Sequence, residues 1–245
     1  LMEACAANGK QLIVLDRPNP NGFYVDGPVL EAKHRSFVGM HPIPVVHGMT
    51  LGELARMIDG EGWLRDGLRC KLTVIPCRGY THRSRYRLPT APSPNLPNMR
   101  AVYLYPSLCF FEGTPVSLGR GTDFPFQAYG HPELQGDFSF TPRSNAGAKN
   151  PPLKDKLCHG VDLRTSPSDE RIWEREVDLG YVIDCYRQLN LGEKFFTPMF
   201  DRLTGTDYVR QMILQGAGAD RIKASWADDV ERFKQTRKPY LLYEE

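Results

Sequence analysis

Proline placement constrains this chain most. Eighteen of its 20 prolines lie between Pro18 and Pro167. A proline inside a helix removes a donor and crowds the preceding turn, and inside a sheet it is confined to edges. The middle of the chain is therefore expected to be loop-rich, and the regular helices should gather in the last third. At 245 residues, with 41% hydrophobic and 24% charged residues, there is enough chain for a real core and for one or two domains. Lys+Arg 31 against Asp+Glu 29 leaves a formal net charge of +2. That balance gives no footprint for nucleic-acid binding. No apolar run is long enough for a membrane span.

Local patterns place the elements. Leu1 to Asn8 reads as the last two turns of a helix, with Gly9 just past its end. Such a short helix does not stand alone in water, so the chain is read as the C-terminal part of a longer protein. Gln11-Leu12-Ile13-Val14-Leu15-Asp16 is a continuous apolar run ending in a carboxylate, the pattern of a parallel strand buried on both faces. Thr50 and Glu53 form a capping box at the head of a helix whose inward face is Leu51, Leu54, Ala55 and Ile58. Leu72 to Pro76 is a second buried-type strand, so a right-handed parallel crossover is expected. Residues Tyr80 to Pro97 are irregular and basic, carrying Arg83, Arg85 and Arg87, with Arg78 just ahead of them. A domain junction is placed near Met99.

Beyond Met99, the segment opening Ala101 to Tyr105 is too Pro-rich for long helices. Phe138 to Pro142 should be an edge strand, and Cys158 to Leu163 another strand. Helices are expected over 179–189, 208–215 and 225–235, the last capped by Ser225 with Trp226, Val230 and Phe233 facing inward. Tyr240 to Tyr243 reads as a docked terminal strand. The fold class is thus α/β: a partial Rossmann-like parallel-sheet domain over residues 1–98, then a smaller α/β domain over residues 99–245.

The catalytic signatures of serine hydrolases, phosphate-loop enzymes and zinc peptidases are missing. The six cysteines form no CxxC, and the six histidines are dispersed, so neither metal nor cofactor is expected. In open α/β sheets the ligand crevice lies at the carboxyl ends of strands. That makes Asp16 a site candidate, and Asn19 in the following loop either orients a sugar hydroxyl or holds a turn. His47 either contacts a ligand or caps a helix. The densest polar cluster runs from Glu112 to Asp123 and contains Arg120, a forked donor suited to a carboxylate. It is equally read as a surface loop held by an Arg–carboxylate pair.

Together these segments resemble one family. Leu15 to Gly22, Asp26-Gly27-Pro28, Ser36 to Gly39, His47-Gly48-Met49-Thr50, Pro92-Ser93-Pro94-Asn95-Leu96-Pro97, Phe111-Glu112-Gly113-Thr114, Gly119-Arg120-Gly121-Thr122 and Cys158 to Val161 look like signatures of the NamZ-like exo-β-N-acetylmuramidases. The match runs in order over essentially the whole chain. It implies a Rossmann-like domain, a smaller α/β domain and a site in the cleft between them. It also implies release of terminal N-acetylmuramic acid from the non-reducing end of peptidoglycan fragments by an exported or periplasmic bacterial glycosidase. Under that resemblance Glu112 is the catalytic candidate, with the main carboxylate expected upstream of this chain. Asp16, Asn19, His47, Asn95, Arg120 and Thr122 would bind substrate, Arg120 meeting the lactyl carboxylate. The partners would be muramyl glycans. Val116-Ser117-Leu118-Gly119 departs from the family's more polar stretch there. The alternative is a non-catalytic protein that binds cell-wall glycans, and nucleotide chemistry is disfavoured by the missing phosphate loop.

Overall fold

The computed structural model describes residues 1–245. Helix α1 (Met2–Ala7) leads into strand β1 (Gln11–Leu15), followed by an antiparallel pair, β2 (Asp26–Val29) and β3 (Pro44–Val46). Helix α2 (Leu51–Gly60) then returns the chain to β4 (Lys71–Ile75), which runs parallel to β1 from Gln11↔Lys71 to Leu15↔Ile75. The capping box forms as the sequence requires. Thr50 Oγ1 accepts the Glu53 N–H at 3.3 Å, and Glu53 Oε2 accepts the Thr50 N–H at 2.9 Å. Gly52 is dictated by packing, since a Cβ there would lie 2.5 Å from Val74 and 2.8 Å from Asp16.

β1 is not buried on both faces. Its exposure alternates with period two, Ile13 standing 56% and Leu15 72% exposed while Leu12 and Val14 are half-buried. The sheet has two strands, with α1 and α2 packed beside β1. An apolar run cannot tell one covered face from two.

Beyond the irregular basic segment lies α3 (Met99–Leu108), a ten-residue helix where prolines had argued against one. Asn98 caps it by accepting the Ala101 N–H at 3.0 Å. Pro106, inside the last turn, cannot donate to the Val102 carbonyl; the Asn21 side chain donates there instead, at 3.1 Å. A tertiary bond repairs what the proline removes.

Strands β5 (Ala128–His131), β6 (Phe138–Phe140) and β7 (Cys158–Asp162) form an antiparallel sheet in the order β5-β7-β6, so Phe138–Phe140 is indeed an edge. Helices α4 (Asp169–Arg175), α5 (Gly180–Leu189), α6 (Pro198–Thr204), α7 (Tyr208–Leu214), α8 (Ala219–Ala224) and α9 (Ala227–Arg237) complete the chain. The cap of α9 is Trp226, not Ser225, whose hydroxyl donates back to the Ile222 carbonyl and closes α8. Residues 240–243 are not a strand: a 3₁₀ turn, Lys238–Tyr240, leads into a tail anchored by side chains.

One apolar cluster of 33 buried residues runs from Val25, Val46, Met49 and Met57 through Leu104, Phe110 and Phe111 to Trp226 and Phe233. Elements on both sides of Met99 contribute to it. Within this core sits a charge. Asp26, 3% exposed, accepts from Trp226 Nε1 at 2.8 Å and from the Val177 N–H at 3.0 Å, and pairs with Lys223 Nζ at 2.8 Å. Removing Asp26 leaves the buried Trp226 Nε1–H and Val177 N–H without an acceptor. Asp26→Ala should therefore lower unfolding stability by about 3 kcal/mol. In urea titrations this should appear as a lower midpoint at constant slope, whereas a surface-like change below about 0.5 kcal/mol would contradict the assignment.

Candidate active-site cleft

Three of the sequence candidates meet at the carboxyl end of β1. Asp16 accepts three hydrogen bonds: Gly52 N–H at 2.8 Å on Oδ1, and Thr50 Oγ1 at 2.6 Å and Tyr243 Oη at 2.7 Å on Oδ2. It therefore anchors the first turn of α2, where a carboxylate is favoured by unpaired N–H groups and the helix dipole. The Tyr243 hydroxyl is driven far above its usual range, first by burial and then by donating to Asp16. Asn19 holds a turn: its Oδ1 accepts the Asn21 N–H at 2.9 Å and its Nδ2 donates to the Met49 carbonyl at 2.9 Å.

Beside Asp16, Glu53 is fully buried and accepts from Thr50 N–H, Leu242 N–H at 2.7 Å and His82 Nε2 at 3.0 Å. His82 Nδ1 faces the Gly22 carbonyl at 3.1 Å. The groups facing the two ring nitrogens, a carbonyl and a carboxylate, are both acceptors. Burial pushes the Glu53 carboxyl up, but the bonds from His82, Leu242 and Thr50 outweigh it and hold it below the ordinary value. Sequence reading gave Glu53 only a capping role and found nothing in His82 or Tyr243. Their partners lie 29 and 227 positions away, beyond any local pattern.

His47 is the group left free to act. Its Nδ1 accepts the Met49 N–H at 3.1 Å, so the neutral ring carries its proton on Nε2, a donor without a protein partner. Burial, and secondarily the Arg237 charge, push its pKa down to about 4. The imidazole lines a cavity of about 350 Å³ with Arg17 and Asn19, and a second of about 270 Å³ with Tyr105 and Cys109. The two hollows thus adjoin at His47.

Tyr105 links this cleft to the Gly-rich stretch. Its ring lies 5.1 Å from Phe126, and the Arg120 guanidinium sits 5.0 Å over that same ring. Burial first, then the nearby Cys109 and Glu112, raise the Tyr105 hydroxyl to about 12. Arg120 and Glu112 pair directly with each other, with side chains 27% and 30% exposed. The glycines around them serve packing: a Cβ on Gly121, at φ +83°, would lie 2.4 Å from the Arg143 carbonyl. Thr122 closes the same turn, its hydroxyl donating to the Gly119 carbonyl at 2.6 Å. Asn95 is likewise held in a loop, donating to the Gly147 carbonyl at 3.0 Å. The structure joins Asp16, Asn19 and His47; Glu112 and Arg120 lie near Tyr105 and Phe126 but outside the lining of the two hollows, Thr122 closes a local turn, and Asn95 ties its loop to Gly147, 52 positions away.

Apart from this cleft, Glu31, His34 and Asp207 cluster at the surface, where Lys33 bridges the two carboxylates at 3.1 and 2.9 Å. The six cysteines are all unpaired thiols. No helix is long and apolar enough to cross a membrane.

Two stretches of the chain match known sequences. A family model described as exo-beta-N-acetylmuramidase NamZ, N-terminal, matches residues 1–100, and its C-terminal counterpart matches residues 103–243. The chain belongs to the NamZ family. It is 34% identical over 99% of its length to the peptidoglycan beta-N-acetylmuramidase NamZ of Bacillus subtilis (strain 168), and it spans 62% of that curated relative. Two crystal structures of DUF1343 family proteins from Bacteroides fragilis NCTC 9343 share the fold. One has a TM-score of 0.98 at 62% identity, and the other 0.76 at 26% identity. Those matches cover 100% and 99% of this chain, and 69% of each crystallised chain. The NamZ relationship confirms the family resemblance read from the motifs, and with it the mixed α/β class.

In this NamZ fold the neutral His47 has a pH signature. A histidine whose folded pKa lies below its unfolded value contributes stability that is fully present above the unfolded value of about 6.5, and loses it as pH falls through the folded one. Wild-type stability should therefore decline by up to about 3 kcal/mol between pH 6.5 and 4 through this group. His47→Gln should flatten that part of the profile, as followed by denaturant midpoints across pH. An equally steep acid limb in the variant would show that His47 is not the group responsible.

Proposed function

We propose that this protein takes part in peptidoglycan breakdown as an exo-acting glycoside hydrolase, releasing terminal N-acetylmuramic acid from the non-reducing end of muramyl glycans, in an exported or periplasmic setting. The observation that carries this reading is the paired match of both NamZ models along one chain. The cleft supports it chemically. Glycoside hydrolysis needs a proton donor and a second carboxylate, and a muramic ring adds a lactyl carboxylate for a cation to read. Glu112, paired with Arg120 near Tyr105, is the acidic candidate. Arg120 pairs with it yet keeps further in-plane N–H donors for a lactyl group. His47 offers an Nε2–H to a sugar hydroxyl or carbonyl, and Tyr105 adds an aromatic face.

One observation favours a second reading, a glycan-binding protein without turnover. Asp16 and Glu53 are both filled by internal donors, and Glu112 lines neither hollow at His47. Incubation with a muramyl-terminated disaccharide and with a glycan capped by N-acetylglucosamine separates the two. The hydrolase reading expects free N-acetylmuramic acid from the first and nothing from the second. Cleavage of internal bonds, or equal turnover of both termini, overturns the exo assignment. Saturable glycan binding with no sugar released establishes the binding reading instead.

The roles within the cleft are tested on the same substrates. A charge-assisted hydrogen bond is worth about 1.5–3 kcal/mol, so Arg120→Ala should cut the preference for muramic over glucosamine termini by roughly ten- to a hundredfold. Glu112→Gln should depress turnover more than binding. If both variants lose melting temperature together while the preference ratio stays unchanged, the pair merely holds its loop.

A further inference from the structure

Two arginines of the basic segment after β4, Arg83 and Arg85, converge with Lys234 and Arg237 of α9 on a cavity of about 450 Å³. It shares no lining residue with the two hollows at His47. Two acidic residues also reach its wall, and both are committed. Glu176 accepts from Lys223 at 3.0 Å. Glu245 pairs through its carboxylate with Arg237 and through its main-chain carbonyl with Arg83 Nε, at 2.8 Å. The balance at this wall is positive.

The cations have donors to spare. The Arg85 guanidinium lies 3.5 Å from the centroid of the Phe23 ring and 5.1 Å from that of Trp173, and it forms no salt bridge and no side-chain hydrogen bond. Stacking fixes the plane of a guanidinium while its N–H groups radiate within that plane, the geometry that receives an oxyanion. Lys234 has only Glu231, at 3.7 Å on the exposed side of α9. Arg237 is 4% exposed, and its buried Nε has no hydrogen-bond partner. A desolvated, unsatisfied donor on a cationic group is costly, and an acceptor bound beside it offsets that cost. A cavity of this size falls within the range of small-molecule sites, ~300–1000 Å³.

We propose that this cavity binds a small oxyanion-bearing molecule, with Arg85 and Lys234 as the free donors and Arg237 as the buried one. The ligand class is an organic carboxylate or phosphate. Arg237 also donates to the carbonyls of His47 at 3.2 Å and Gly48 at 2.8 Å, so an occupant would sit directly behind the segment that carries the cleft histidine. The proposal does not depend on the glycan reading, because its readout is binding and not sugar release.

Isothermal titration at low ionic strength tests it, with inorganic phosphate, glucose 6-phosphate and alanyl-glutamate as probes. Saturable binding of one molecule per chain by at least one probe is expected, weakening as salt rises. Binding by the phosphates alone or by the dipeptide alone identifies the source. The Arg85→Gln/Lys234→Met double variant should bind about tenfold or more weakly at an unchanged melting temperature. Should that variant fold poorly, Arg85→Lys, which keeps the charge but loses the fork, is expected to weaken binding by a smaller factor. Absence of saturation by all three probes up to about 10 mM overturns the site. So does undiminished affinity in the folded double variant or, if that variant does not fold, in Arg85→Lys.

Discussion

The first turn of α2 is where the molecule is fastened. A helix N-terminus presents unpaired N–H groups and partial positive charge, and here it collects two carboxylates, the half-buried Asp16 and the buried Glu53. Asp16 arrives at the end of β1 and takes the Gly52 N–H and the Thr50 hydroxyl, while Glu53 folds back onto the Thr50 N–H. Both carboxylates have capacity left over, and the C-terminal tail uses it. Tyr243 donates to Asp16 and the Leu242 N–H to Glu53. Arg56, one turn further along α2, donates to the Tyr240 carbonyl at 2.9 Å. The last residues of the chain are thus tied to its first strand and first long helix through one cluster of polar groups.

That fastening sets the cleft. Asn19 and His47 lie on the loops entering and leaving the cluster, and Arg237 bridges from α9 to the His47 and Gly48 carbonyls. His47 is held neutral with one nitrogen occupied and one free, which is the state a sugar-binding donor requires. Asp16 and Glu53, by the same geometry, have their oxygens engaged by internal donors. The chemistry proposed for this NamZ family member accordingly falls to Glu112 and Arg120, which neighbour the cleft through Tyr105 and Phe126.

Much of the local architecture was legible in the sequence because short-range physics decides it. The Thr50–Glu53 capping box, the parallel β1/β4 pair and the helices over 179–189 and 208–215 follow from spacing alone. The failures have specific causes. α3 survives Pro106 because Asn21, 81 positions away along the chain, supplies the missing donor. The burial of β1 was overestimated because an apolar run carries no information about which face a neighbour covers. The tail was read as a strand from its apolar character, yet its order comes from side-chain bonds to Asp16 and Glu53. Family motifs point to Asn95 and Thr122 as substrate contacts; within the fold Thr122 closes a turn and Asn95 ties two loops together, bonds that a motif does not encode.

Amide hydrogen exchange resolved by residue tests the fastening most directly. If the tail and the head of α2 form one unit, the amides of Thr50, Gly52 and Leu242, bonded to Glu53, Asp16 and Glu53 respectively, should open together with a single large opening free energy. Tyr243→Phe, by removing one of the donors to Asp16, should lower all three by the same amount. Rapid exchange at Leu242 with Thr50 and Gly52 still protected would contradict it, for the tail would then be a loose end laid over a helix that holds itself.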